Sequence, residues 1–123
     1  MNFDIDRFLS LAEEADKKQK EGRVIGKLHG LPLLVKDNID VLNFPTTAAT
    51  PALENYVPNK QGPVIDTLLN AGAIVMAKTN MHELAFSPGI TGAIDGSEIR
   101  WGAHGAAKNP HNLEYSSSGS SSG

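Results

Sequence analysis

The 123-residue sequence contains no cysteine, which removes disulfide staples, thiolate nucleophiles and cysteine-based zinc sites together. That absence fits a reducing compartment, and a cytoplasmic location is the corresponding expectation. An excess of basic charge is missing too: 11 lysines and arginines face 14 acidic residues, a formal net charge of −3. Nucleic acid and anionic membrane surfaces are bound through a basic face, so neither is expected as the main partner. No apolar run approaches the roughly 20 residues of a membrane-spanning helix; the longest cover 31–35 and 71–77. The opening Met-Asn-Phe-Asp-Ile-Asp-Arg lacks the basic start and apolar core of a secretory leader. No internal repeat is present. What remains is ordinary globular material, 40% hydrophobic with twelve glycines, at a length that suits one domain.

Residues 4–21 carry Ile5, Phe8, Leu9, Ala12 and Ala15 at helical spacing, with Asp4 or Asn2 as N-cap and Gly22 as the stop. Glu13–Lys17 and Glu14–Lys18 stand four apart with the acid first, the order that supports a helix. The pattern predicts a surface helix lying on a core. Residues 31–35, Leu-Pro-Leu-Leu-Val, are continuously apolar and predict a strand buried on both faces. Two prolines punctuate 43–51 and predict irregular backbone there. A second helix opens with Pro63 at its first position, turns Val64, Ile65, Leu68 and Leu69 inward, and ends at Gly72. A buried strand is expected at 73–77 and a short helix at 81–86. Strand, helix, strand in that order is a βαβ unit, which implies a parallel sheet and an α/β class. Glycine recurs through 89–105, where little regular structure is assignable.

Two features could carry chemistry. Lys36 ends an apolar strand, where lysine is uncommon unless paired or functional. Burial disfavours an ammonium, so a lysine in such a place can serve as a base; pairing with Asp37 or Asp40 is the structural alternative. The second feature is 116–123, in which six of eight residues are serine. Such a tract reads either as a flexible linker or expression scar, or as a loop whose hydroxyls and amides surround a reacting carbonyl. Composition does not choose between these. His29, His82, His104 and His111 form no His-x₃-His pair, and only His82-Glu83 sets a carboxylate beside an imidazole, so a zinc site is not indicated. Lys78-Thr79-Asn80 falls where polar residues at the carboxyl end of a parallel strand line sites. Asn80 with Glu83 three residues on also has the arrangement of a capping box.

Several of these segments, in order, resemble the amidase signature family. Gly30-Leu-Pro-Leu-Leu-Val-Lys-Asp-Asn-Ile39 is similar to the strand and turn that carry that family's catalytic lysine. Thr46-Thr47-Ala48, residues 64–72 and residues 73–85 continue the likeness, and Gly105 to Pro110 resumes it before the family's Gly-Gly-Ser-Ser-Gly-Gly loop. Counted on without gaps, Ser118-Gly119-Ser120-Ser121-Ser122-Gly123 falls on that loop, with serine for glycine at Ser118 and Ser122; residues 90–101 look like an insertion. The likeness begins at Lys27, so 27–123 reads as the family-like region, 1–26 as a leading helix, and 1–123 as the N-terminal part of an amidase signature domain.

The resemblance implies the N-terminal portion of an α/β fold whose mostly parallel or mixed sheet is flanked by helices. It implies that Lys36 is the catalytic base and Ser120 the bridging serine, beside a cis peptide, that relays a proton to it. The family's nucleophilic serine and oxyanion turn lie beyond this loop, so the 123-residue chain is expected to be incomplete and inactive alone. Ala85, Phe86 and Ser87 fall on one wall of the substrate pocket. The implied reaction is serine-dependent hydrolysis of a small carboxamide, without metal or organic cofactor. Expected partners are that small amide and either the missing C-terminal part of the fold or a second copy. The glutamine-using subunit of a tRNA-dependent amidotransferase shares most of the same blocks. A non-catalytic fragment that acts only by association is the alternative from another class.

Overall fold

Helix α1 (Ile5–Lys20) starts where Asp4, in extended backbone, accepts a hydrogen bond from the Arg7 N–H at 2.9 Å. In the computed structural model, which describes residues 4–85, 107–115, 117, 120, 121 and 123, this cap is one of the two that the sequence pattern offers. Such a cap stabilises a helix by about 1 kcal/mol. Lys17, Lys18 and Lys20 complement the helix dipole in the last turn, and Lys18 pairs with Glu14 at 2.7 Å. The helix buries less than its periodicity promises. Only Ala15 is buried, while Ile5 and Leu9 remain half exposed. The reason is the platform: among the described residues α1 rests on a sheet of two strands, too narrow to cover the whole apolar stripe. His29 fastens the helix to the chain that follows, its Nε2–H donating to Ala15 O at 2.9 Å while Nδ1 accepts from the Ile25 N–H at 3.3 Å.

Strands β1 (Pro32–Lys36) and β2 (Ile74–Thr79) pair in parallel, with α2 (Pro63–Asn70) between them in the chain. This is the predicted βαβ unit of the α/β class. The register runs from Pro32 beside Ile74 to Lys36 beside Thr79, with a bulge that shifts the partner of Leu34 to Ala77 and passes over Met76. Helix α2 opens on extended Gly62 and Pro63, whose missing N–H costs nothing in the first turn. Val35, Val41, Phe44, Ile65 and Val75 form the core, with Ile39 and Leu69 packed against it.

Several expectations need correction. Strand β1 is not buried on both faces: Val35 lies in the core, but Leu34 is 58% exposed, because the core cluster covers one face only. Val64 of α2 likewise faces solvent rather than the core. Strand β2 runs two residues past the apolar stretch and takes in Lys78 and Thr79. The short helix expected at 81–86 is, over its described residues 81–85, one 3₁₀ turn at Glu83–Ala85 in which Leu84 (φ 52°) and Ala85 (φ 58°) are left-handed. Asn80 accepts from its immediate neighbour, the Met81 N–H, at 2.9 Å, so no capping box forms. A tertiary bond dictates this turn: the Leu84 N–H donates to Ala48 O at 2.8 Å.

Gly72 shows where glycine is required. Its φ is +98°, and a Cβ there would lie 2.8 Å from His29 Cα, backbone that cannot move aside cheaply. Gly72→Ala is therefore expected to destabilise the chain by roughly 2–3 kcal/mol, read as a lower urea midpoint. A midpoint equal to the parent's contradicts this reading of the turn. Among the described residues no helix is long and apolar enough to cross a membrane.

Candidate active site

Side chains alternate across a strand, and that alternation divides the residues at the carboxyl end of this sheet into two groups. The register sets Lys36 beside Thr79 and Val35 beside Lys78. Lys36 and Thr79 thus share one face, and Val35 and Lys78 the other. Asp37 carries the ladder one residue further, its N–H donating to Thr79 O at 3.1 Å. Lying two residues beyond Val35, it joins the face of Lys78.

On the first face, Lys36 Nζ donates to Ser121 Oγ at 2.7 Å, closing a loop of 85 residues. The serine-rich segment is pinned by backbone bonds. The His82 N–H donates to Ser120 O at 3.1 Å, and the Gly123 N–H donates to Asn80 O at 3.1 Å. The N–H and hydroxyl of Ser117 both reach Ala107 O, each at 3.2 Å. A side chain at Gly123 would collide with Asn80 backbone, so this glycine lets the segment close on the end of β2. The segment has fixed partners, which a flexible linker lacks.

The resemblance assigns the bridging role to Ser120, whereas the Lys36 hydrogen bond goes to its neighbour. Ser120 is held through its carbonyl by His82, and the next side chain along is the one turned toward Lys36. No cis peptide bond occurs among the described residues. Ala85 is partly buried in the left-handed turn, its N–H donating to His82 O at 2.9 Å. Phe86 and Ser87 lie outside the described residues.

On the second face stands a pair that the sequence reading missed. Asp37 and Lys78 are 6% and 4% exposed, and Lys78 Nζ lies 3.1 Å from Asp37 Oδ1. The ammonium donates its hydrogen bonds to Pro45 O at 3.2 Å and Thr46 Oγ1 at 3.1 Å. The other carboxylate oxygen of Asp37 accepts from the Thr47 hydroxyl and, at 3.3 Å, from the Thr47 N–H. Burial pushes the Lys78 ammonium below the usual lysine range; the hydrogen bond and charge of Asp37, then the charge of Asp40, act against it. The expected alternative, pairing of Lys36 with Asp37 or Asp40, gives way to this arrangement. The signal that could have found it is the same one that found Lys36: each apolar strand runs straight into a lysine.

His82 is 4% exposed, and its pKa falls below the ordinary 6.5 through burial first and the Lys36 charge second. Its imidazole is thus harder to protonate in the folded chain than in the unfolded one. The stability this gives is complete above the ordinary value and is lost as pH falls toward the lowered one. His82→Asn is expected to flatten the decline in thermal midpoint between about pH 7 and about pH 5. A decline as steep as the parent's contradicts the assignment.

A lysine nitrogen bonded to a serine hydroxyl at the mouth of a parallel sheet is an arrangement along which a proton can pass. Among the described residues no cluster of three or more histidine or carboxylate side chains could hold a metal. The sequence model of the Amidase family matches residues 1–123. The chain belongs to the amidase family. This amidase chain is 37% identical over 123 residues to a glutamyl-tRNA(Gln) amidotransferase subunit of Lachnospira eligens. It is 41% identical over 118 residues to the same-named subunit of Thermosynechococcus vestitus. The native peptide amidase of Stenotrophomonas maltophilia superposes over 98% of the chain, with a TM-score of 0.75 and 34% identity. An amidase-family protein of Bacillus anthracis covers 94% with a TM-score of 0.71 and 26% identity. The chain spans 24% and 23% of the length of the two curated relatives and 24% of the peptide amidase. It corresponds to the N-terminal part of the amidase signature fold.

Proposed function

We propose that this chain supplies the base and the proton relay of a serine-dependent amide hydrolase. The observation that carries the reading is the 2.7 Å hydrogen bond between Lys36 Nζ and the serine segment, made across 85 residues at the carboxyl end of parallel strands. A nucleophilic serine adds to the carboxamide carbonyl, and its proton passes through a bridging hydroxyl to Lys36 Nζ. Backbone amides hold the resulting oxyanion. Collapse of the tetrahedral adduct breaks the C–N bond, and the leaving ammonia or amine takes the proton back along the same relay. Water then adds to the acyl-enzyme ester, giving up its proton by that route. The C–O bond to the serine breaks, the serine oxygen takes the proton back from the relay, and the carboxylic acid leaves.

Ser120 holds the bridging position by family resemblance, and Ser121 orients the Lys36 nitrogen. Ala85, Phe86 and Ser87 form one wall of the pocket for a small carboxamide. The nucleophile belongs to a part of the fold beyond residue 123, so the 123-residue chain is inactive alone and works with that part or through self-association. The reaction needs no cofactor and takes place in the cytoplasm. A second reading, a component of a tRNA-dependent amidotransferase, is favoured by the 37% and 41% identities to two such subunits. In that case the amide hydrolysed is glutamine, and the ammonia passes to a partner.

Covalent labelling by a fluorophosphonate probe tests the division of labour. The purified 123-residue chain is expected to stay unlabelled, because it holds base and relay without the nucleophile. Strong labelling of that chain places a reactive serine within it and overturns the proposal. Ammonia release from glutamine, compared with a panel of other primary amides, separates the two readings in the complete gene product.

A further inference from the structure

Lysines stand near the carboxyl ends of both strands, and the fold treats them differently. Lys36 reaches a serine hydroxyl on the open face, whereas Lys78 is enclosed with Asp37, the residue that follows Lys36 in sequence. Asp37 is fixed through its main chain as well, donating to Thr79 O at 3.1 Å and accepting from the Ala48 N–H at 2.9 Å. Lys78, held by Asp37, Pro45 and Thr46, spans from β2 to the segment after β1.

We propose that Lys78 is a positioning residue for the reaction: it neutralises Asp37, so that this carboxylate does not hold Lys36 in its ammonium form. The inference deepens the hydrolase reading and rests on it for its catalytic meaning. Among the described residues, charged and titratable groups gather at this end of the sheet. Asp37 and Asp40 follow Lys36 on its own segment, Lys78 comes from β2, and His82 comes from the turn after β2. His82 is biased toward its neutral form by burial. The ion pair thus places a buried negative charge one residue from Lys36 and a buried positive charge against it. Removing the positive partner leaves the Asp37 charge unopposed one residue from Lys36.

The test is trace acylation of the 123-residue chain with acetic anhydride across a pH series, with the Lys36 peptide quantified by mass spectrometry. Lys78→Met is expected to move the midpoint of Lys36 labelling up by about one pH unit. Asp37→Asn, which strands the Lys78 charge, is expected to move it down by the same amount, roughly one unit. The double variant Asp37→Asn/Lys78→Met is expected to return to within about 0.3 unit of the parent, and Lys78→Arg to stay there. A loss of packing alone does not give opposite signs for the two single variants, nor their cancellation in the double. Where Lys78→Met does not fold, the downward shift in Asp37→Asn and its reversal in the double variant still decide. Unmoved midpoints in both single variants, or equal shifts of one sign, overturn the proposal. The readout needs no turnover, so expected shifts in a protein that hydrolyses no amide support this inference while sinking the hydrolase reading.

Discussion

Lys78→Met is expected to destabilise the chain by about 3–5 kcal/mol, and Asp37→Asn/Lys78→Met by less than about half of that. A carboxylate and an ammonium this deeply buried have lost most of their hydration, and their attraction offsets part of that loss. Deleting one partner leaves the other desolvated and uncompensated, which costs more than replacing both. Lys78→Met also leaves Pro45 O and Thr46 Oγ1 without its hydrogen bonds, while Thr47 continues to donate to Asp37. In the double variant a neutral amide can still accept from Thr47, and the methionine fills most of the lysine's volume. Urea midpoints for the two variants beside the parent measure the difference. Equal losses in single and double variants contradict a charge-coupled pair.

The largest effects on turnover are expected in the serine segment. In the complete gene product, Ser120→Ala should lower kcat by about two to four orders of magnitude, with KM changed little. A bridging hydroxyl handles the proton in both half-reactions, so its loss affects acylation and deacylation alike. Ser121→Ala should cost about tenfold, because it removes one hydrogen bond that orients the Lys36 nitrogen. The structure frames this contrast: Ser120 is anchored through its carbonyl by His82, and Ser121 accepts the Lys36 hydrogen bond at 2.7 Å. The reverse ranking, with Ser121→Ala the more damaging, moves the relay one residue along and contradicts the assignment to Ser120.

Local chemistry made some of this legible. Asp4 among the cap candidates and Gly22 as the stop bounded α1 from sequence to within a residue or two, because capping depends on a few neighbouring residues. The βαβ order and its parallel pairing were legible for a similar reason: Pro63 and Gly72 punctuate the helix between two apolar strands. Burial was less so. Periodicity reports which face could be covered, but not what covers it, so Ile5, Leu9 and Leu34 read as core and stand in the open. Strand β2 outlasts its apolar residues because Lys36 and Asp37 offer partners to Thr79. The turn at Glu83–Ala85 depends on a bond to Ala48, 36 positions before Leu84, which no local pattern announces.

The site divides along the same line. A lysine at the end of an apolar strand marked Lys36 at once. Composition left the serine tract undecided, since its fixed geometry comes from His82 and Asn80, residues distant in sequence. The Asp37–Lys78 pair emerges only when the register sets Lys78 beside Val35.

The most direct measurement is ammonia release from a primary carboxamide by the complete gene product, with Lys36→Ala beside the parent. The parent is expected to hydrolyse the amide, and Lys36→Ala to retain its fold while losing about three or more orders of magnitude in kcat. Turnover undiminished in a folded Lys36→Ala variant contradicts Lys36 as the base.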